Sequence, residues 1–453
     1  MALKEIIIVS AQYIGSISGG GGVHVVELTR ELGKLGYKVL VLSMGLGKNK
    51  LKETITLEDP YNPDKKKRKA KIKVVRFRPK DYKNLNSCFE GTKQQEIDRL
   101  TEFKNRAVDY LVKHYKNRDD IVVHIHGHFV VPSMAKELKE QTKLKIVTSI
   151  HTFESISERA KAKDGAGAKF VKIMEEMEEI AIKNSDYLIV RSKKVKQQIT
   201  ELFPKTVRKT KVAIISSGVS SVFINHPGFD NKILEKIKKK YNVSGDLIFN
   251  LNRIDPSKGI EYIIKAYPRV YKDLRKLKGK DYKMSFVICG MIEEKNKWYY
   301  ERLTKLISEI KDKEIRDSIS IHQNITEEDK IGLFQLAKVF ILSSIIEPFG
   351  ITIVEALAKN IPVIAAGVEG PMDIMGVKKV DVPFKVADGG IIVNYETKSK
   401  RHSYLYEALK FVFLNPDKIK KKVLKGREKT LRKYGWEALV MEKIDIYNKT
   451  LDM

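Results

Sequence analysis

What most constrains this chain is an alternation that runs from end to end, in which strand-like apolar runs are each followed by a segment of helical periodicity. That is the pattern of an α/β protein with parallel sheets. In the first unit "EIIIVSA" reads as a strand, "GVHVVELTRELGKLG" as a helix closed by Gly36, and "YKVLVLSM" as the next strand. Such a right-handed βαβ unit is the seed of a doubly wound sheet.

Further strands are expected at "KVVRFRP", "DIVVHIHG", "KIVTSIH", "DYLIVRS" and "KVAIISSG", which completes one Rossmann-like half. A second series follows in "DLIFNLNR", "KMSFVICG", "SISIHQ", "KVFILSS", "IPVIAAG" and "GGIIVNY". The 453 residues are too many for one ordinary core, so two domains are expected. Regular periodicity lapses around 216–230, where Gly and Pro gather, and places the boundary at 1–220 and 221–453. The last stretch, about 435–453, has Trp436, Leu439, Val440, Ile444 and Tyr447 on one helical face, and that face needs a cover. Two such halves would put a cleft at the carboxyl ends of both sheets, where open α/β sheets bind ligands.

Composition narrows the classes. Cys88 and Cys289 are the only cysteines and lack metal-ligand spacing, which fits a reducing cytoplasm better than a secreted disulfide framework. No run reaches the roughly 20 apolar residues of a membrane span, and the N-terminal "IIIV" is shorter than a signal-peptide core. A net charge of +29 invites polyanion partners. A general lysine bias explains it as well, and no recognition-helix motif or aromatic-basic interleaving supports specific nucleic-acid binding. The densest cluster, "PDKKKRKAKIK" at 63–73, reads as a basic surface loop, mobile by its length and Pro content. Peripheral contact with an anionic membrane at the inner face is a further reading of the same charge.

Three strand-to-helix loops carry the chemistry. The first, "YIGSISGGGGVHVVE", has four consecutive glycines, Gly19 to Gly22, before a helix expected from about Val23; the backbone can approach a ligand there and point N–H groups at it. Its spacing does not fit the dinucleotide fingerprint. The second, "LNRIDPSKGIEYIIKAY", offers Arg253 and Lys258 before a helix: a fork and a mobile point charge that suit a diphosphate, or else two ordinary surface cations. In the third, "IIEPFGITIVEALAKN", Pro348 stiffens the entry and Gly350 allows close approach to the N–H groups of Phe349 to Thr352. These form an anion site. Glu347 and Glu355 would repel a phosphate, so they read better as acceptors for hydroxyl groups on either side of it; a capping acid plus a surface acid is the plainer alternative.

"NRIDPSKG", and "EPFGITIVEALA" followed by "PVIAAGVEGPMDI", resemble the phosphate clamp and signature of the retaining GT-B glycosyltransferases of the large family four. The glycine loop, "HIHGH", "SIHT" and "SSGVSSVF" stand in the family's order, so the resemblance covers nearly the whole chain. It implies an acceptor-binding N-terminal domain and a nucleotide-sugar-binding C-terminal one, the last helix returning to the first. Glu355 would hold ribose hydroxyls, Glu347 would lie by the donor sugar, and Arg253 and Lys258 would bind the diphosphate with the amides around Phe349, Gly350 and Ile351. Backbone near Ile325 would meet the base, Gly370 would let the sugar approach, and Gly21 and Gly22 would line the donor from the other side. His151 matches a histidine that contacts the donor sugar, and His126 a recurrent position on the acceptor side.

Departures from the family pattern are informative. The linker reads "SGVS" with Ser217 and Ser220 where an acid often stands. His124, His126 and His128 alternate along one strand; the reading that His126 faces away from the other two, with no carboxylate at hand, argues against a metal there. No cofactor or metal is implied; the co-substrate would be a UDP, GDP or ADP sugar and the acceptor is unread. The expected activity is retaining, metal-independent hexosyl transfer. Its rivals are a polyanion- or membrane-surface-binding protein, or a sugar epimerase or phosphorylase on the same frame.

Overall fold

The computed structural model describes residues 3–17, 20–85, 87–127, 129–151, 153–161 and 165–453. The chain divides into two compact units, Met1–Val222 with Trp436–Met453, and Phe223–Gly435. The first is built on β1 (Glu5–Ser10), β2 (Lys38–Met44), β3 (Lys52–Glu58), β4 (Lys69–Phe77), β5 (Ile121–His126), β6 (Lys145–Ile150), β7 (Tyr187–Val190) and β8 (Lys211–Ile214), in the order β3-β4-β2-β1-β5-β6-β7-β8. All its pairings are parallel except β3 with β4. Strand β1 is buried at every position, because helices cover both faces of a parallel sheet and its strands read as unbroken apolar runs.

The basic stretch at 63–73 is not wholly a loop. Residues Lys69–Phe77 form β4, whose antiparallel partner β3 had no strand signal strong enough to predict it. In β4 the lysines at 69, 71 and 73 are exposed while Ala70, Ile72 and Val74 are buried. A strand with one solvated face alternates in this way, and the lysines on its wet face give the segment the composition of a loop.

The helix Trp436–Leu451 belongs to the first unit. Its Trp436, Leu439, Val440, Ile444 and Tyr447 enter the core that holds Ile6, Ile8, Val25 and Leu28. Gly218 makes this seating tight, since a Cβ there would stand 2.8 Å from Leu439 Cδ1 and 2.9 Å from Trp436 Cδ1.

The second unit carries β9 (Asp246–Leu251), β10 (Met284–Cys289), β11 (Ile319–His322), β12 (Ala337–Leu342), β13 (Val363–Ala366), β14 (Phe384–Ala387) and β15 (Gly390–Val393), ordered β11-β10-β9-β12-β13-β15-β14. Only the edge strand β14, unforeseen in the sequence, runs antiparallel among the described pairings. Strands β9 and β12 lie side by side at the point where the order reverses, which is where such sheets take ligands at their carboxyl ends.

Candidate functional site

The loops that leave β9 and β12 are stitched together. After β9, Asp255 accepts a hydrogen bond from the Ser257 amide and closes a single turn, Pro256–Lys258. Gly259 then adopts φ 59° to start the helix Ile260–Lys278. Both its left-handed backbone and its surroundings require glycine, because a Cβ would stand 2.5 Å from the Ser343 carbonyl oxygen. Ser343 Oγ donates to the Lys258 carbonyl at 2.8 Å, and the Ile345 amide to the Ser257 carbonyl at 2.7 Å.

This stitching brings Lys258 to Glu347. Lys258 Nζ donates to Glu347 Oε2 at 2.8 Å, each side chain is 13% exposed, and Ser344 Oγ donates to the same oxygen at 3.1 Å. Arg253 is more exposed and, among the described residues, pairs with Glu293 alone, at 3.5 Å, so its guanidinium is held loosely. Gly350 takes φ 96° as the N-cap of Ile351–Ala358 and brings no capping side chain. Of the first-turn N–H groups of that helix, Ile353 donates to the Gly350 carbonyl at 3.0 Å; those before it have no carbonyl one turn back in the helix and form an anion-binding end beside the Lys258–Glu347 pair.

One turn further along the same helix, Glu355 is buried and accepts a hydrogen bond from Lys330 Nζ at 2.7 Å. Lys330 also donates to Glu327 at 2.8 Å. Burial alone would lower the Lys330 ammonium, but Glu355 and Glu327 outweigh it and hold the group above its ordinary range. Gly370 donates its amide to the Glu347 carbonyl at 2.9 Å, and a Cβ on it would lie 2.3 Å from the Phe349 carbonyl oxygen. The helix Glu369–Met375 can thus press against 347–349, and the protein's own loop fills the space that a side chain would need. Phe349 is buried with its ring 5.4 Å from that of Tyr434. Ile351 is half-buried in the first turn, and Ile325 is half-buried in the loop between β11 and the helix Glu327–Leu336.

The remaining sequence-derived residues lie in the first unit. The glycine-loop helix begins at Gly20, not Val23, so Gly21 and Gly22 occupy its first turn. Around Gly21 a Cβ would meet nothing within 4 Å, whereas Gly22 faces Gln12 and Ile17. Gly19 and His128 lie outside the described residues.

His126 was expected to face away from His124, but the two rings share a side, with centroids 3.9 Å apart. Residues two apart on a strand point to the same face. His124 is bound on both nitrogens, Nδ1 at 2.7 Å from Tyr447 Oη and Nε2 at 2.8 Å from Ser149 Oγ. His126 Nδ1 lies 3.2 Å from His151 Nε2, and Arg191 Nε donates to His151 Nδ1 at 2.9 Å. His24 joins the group with Nδ1 3.1 Å from Ser217 Oγ, so the first serine of the linker's SGVS has an internal partner. Lys443, from the last helix, is fully buried, and its Nζ has no hydrogen-bond partner among the described residues. Burial, then the Arg191 cation, pushes its ammonium down to about 7. Burial and neighbouring cations likewise hold His24 and His126 well below the ordinary imidazole value.

Sequence reasoning missed Ser344, Lys330, Arg191, His24 and Lys443. A signal existed for Lys443, which falls at i+7 from Trp436 and four before Tyr447 and thus within the apolar stripe. Lys330 had none, because its partner is 25 positions away in a different element.

Family models match both units: "Glycosyltransferase Family 4" over residues 18–222 and "Glycosyl transferases group 1" over residues 232–389. A probable sucrose-phosphate synthase of Thermosipho melanesiensis is 23% identical over 447 residues, which is 95% of this chain and 91% of the relative. Among solved structures, the sucrose-phosphate synthase of Thermosynechococcus elongatus superposes with a TM-score of 0.71 at 16% identity, covering 98% of each chain. The Anabaena protein HepE in complex with UDP-glucose gives 0.67 at 13% identity, over 98% of this chain and 99% of that one.

Proposed function

Because the chain belongs to the family-four retaining glycosyltransferases of the GT-B fold, which transfer a sugar from a nucleotide sugar to an acceptor, we propose that its donor diphosphate is gripped where Lys258 meets Glu347. The observation that carries this reading is that pair, 2.8 Å apart, beside an uncapped helix N-terminus. Lys258, the amides from Gly350 onward and the more exposed Arg253 face the phosphates. Glu355, held in place by Lys330, accepts the ribose hydroxyls, and backbone near Ile325 meets the base. Glu347 faces the sugar, with Gly370 fixing its carbonyl, and His151 is a sugar-contacting residue. Gly21 and Gly22 approach the donor, and His126 stands on the acceptor side.

Breaking the anomeric bond develops positive charge on the sugar and negative charge on the diphosphate. Lys258, Arg253 and the helix amides stabilise the leaving group where its charge appears. Retention follows if the acceptor attacks from the face that the diphosphate leaves, with a departing phosphate oxygen taking the acceptor proton; Glu347 then orients and stabilises without forming a covalent bond.

The UDP-glucose and the ADP bound in two of the similar structures support a nucleotide-sugar donor of either base. The sucrose-phosphate synthases among the relatives support a phosphorylated sugar as acceptor. Thermal-shift screening against UDP, GDP and ADP sugars, then mass spectrometry of products from sugar phosphates and neutral sugars, tests both. Nuclear magnetic resonance of the product should show the donor's anomeric configuration, and an inverted linkage would reject the mechanism.

A further inference from the structure

Within the histidine cluster of the first unit, the neutral His151–His126 pair has only one proton arrangement that satisfies its hydrogen bonds. A guanidinium Nε carries a proton and has no acceptor, so the bond from Arg191 Nε to His151 Nδ1, 2.9 Å long, requires a lone pair on that nitrogen. A neutral imidazole has one donor and one acceptor nitrogen, so His151 carries its proton on Nε2. That nitrogen lies 3.2 Å from His126 Nδ1, which must then be the acceptor. His126 in turn carries its proton on Nε2, an atom that is buried and lacks a hydrogen-bond partner among the described residues.

We propose that Arg191 is a positioning residue for the transfer reaction: it locks His151 as the neutral Nε2–H tautomer and aims it through a one-way relay, Arg191 to His151 to His126. The proposal rests on the reading that His151 meets the donor sugar, and extends it to a residue that no motif singles out. The surroundings favour the same state. The side chains gathered here are His24 from the first helix, His124 and His126 from β5, Arg191 after β7 and Lys443 from the last helix. Arg191 and Lys443 are cations, so an added proton on His151 would meet their repulsion and break the bond from Arg191; the Glu442 carboxylate, next to Lys443 on the last helix, acts on that ammonium in the opposite sense. A donor behind the ring that fixes its tautomer and orientation commonly tunes a functional histidine.

The test uses the full chain labelled with 15N-histidine, with the His151 signal assigned by its loss in His151→Gln. At neutral pH the wild-type ring should give the pattern of a neutral imidazole protonated on Nε2; an Nδ1–H tautomer or an imidazolium overturns the relay. In Arg191→Gln, Nδ1 is released from its fixed donor and a cation is removed. The His151 signal should become a tautomer mixture, and kcat should fall with nucleotide affinity unchanged. If Arg191→Gln does not fold, Arg191→Met, which keeps an unbranched stem but offers no N–H, should still show the mixture. Unchanged tautomer and unchanged kcat in a folded variant would overturn the proposal. The tautomer measurement needs no substrate, so failed transfer in every assay would count against the proposed reaction and not against the relay.

Discussion

Lys258 and Glu347, 89 positions apart, meet at 2.8 Å with both side chains largely withdrawn from solvent. The carboxylate belongs to the entry of a helix and the ammonium to the last turn before another. Each is fixed by backbone bonds between their loops, so without donor the pair neutralises two charges that would otherwise be partly desolvated alone. A diphosphate arriving at the helix N-terminus would compete for Lys258 and leave Glu347 free to face the sugar.

It follows that Glu347→Gln should separate binding from turnover. The neutral amide keeps the shape but no longer holds Lys258 by charge, so affinity for the nucleoside diphosphate should stay constant or rise. Turnover should fall roughly 10²–10³-fold, the scale for removing one electrostatic stabiliser of a transition state. Lys258→Met should instead weaken the nucleotide about tenfold or more, as loss of one charge-assisted hydrogen bond implies. Titration calorimetry beside steady-state kinetics reads both, and equal loss of affinity in the two variants would contradict the division of roles.

Glu355 has a structural partner as well as a proposed ligand role, and the two can be separated. Glu355→Gln leaves the Lys330 ammonium with Glu327 alone, which should cost about 1–3 kcal/mol of stability. The double variant Glu355→Gln with Lys330→Met removes that uncompensated cation and should recover much of the loss in thermal melts. Nucleotide affinity should not recover, because the ribose acceptor is still altered. Recovery of both in the double variant would make Glu355 a purely structural acid.

Gly370→Ala should damage the site without unfolding the unit. Its Cβ would stand 2.3 Å from the Phe349 carbonyl oxygen and 2.5 Å from Phe349 Cα, so the 347–349 backbone has to move. A misplacement near 1 Å at a reacting group is enough for about a 10²-fold loss of rate. Kinetics with circular dichroism checks this, and wild-type turnover would show that the loop yields at no cost.

Much of the fold was legible because buried parallel strands leave unbroken apolar runs, as β1 and β10 do at every position. Strands β3 and β14 were not, since each is an edge strand with exposed or half-exposed positions along its length, and composition there is set by solvent as much as by the sheet. In the site, the glycines and cations of each loop stand close together in sequence and can be read by eye. Pairings such as Lys330 with Glu355, or Arg191 with His151, join separate elements and exist only once the sheet is assembled. The mistaken orientation of His126 is of another kind, since period-two alternation already places it with His124.

Lys443 gives the last prediction. Its folded-state value of about 7 lies below the ordinary 10.5, so between those values the unfolded chain binds a proton that the folded one does not. Stability therefore rises with pH across that window, and the cost of burying the ammonium is fully present below about 7. Lys443→Met keeps the apolar stem among Trp436, Val440 and Tyr447 and removes the charge. It should raise the melting temperature most at pH 6 and progressively less toward pH 10, by about 2–4 °C for each kcal/mol recovered in a unit of this size. Melts of the two proteins across that range decide it: a constant difference, or one that grows with pH, would mean that Lys443 is not titrating in the folded protein as its burial requires.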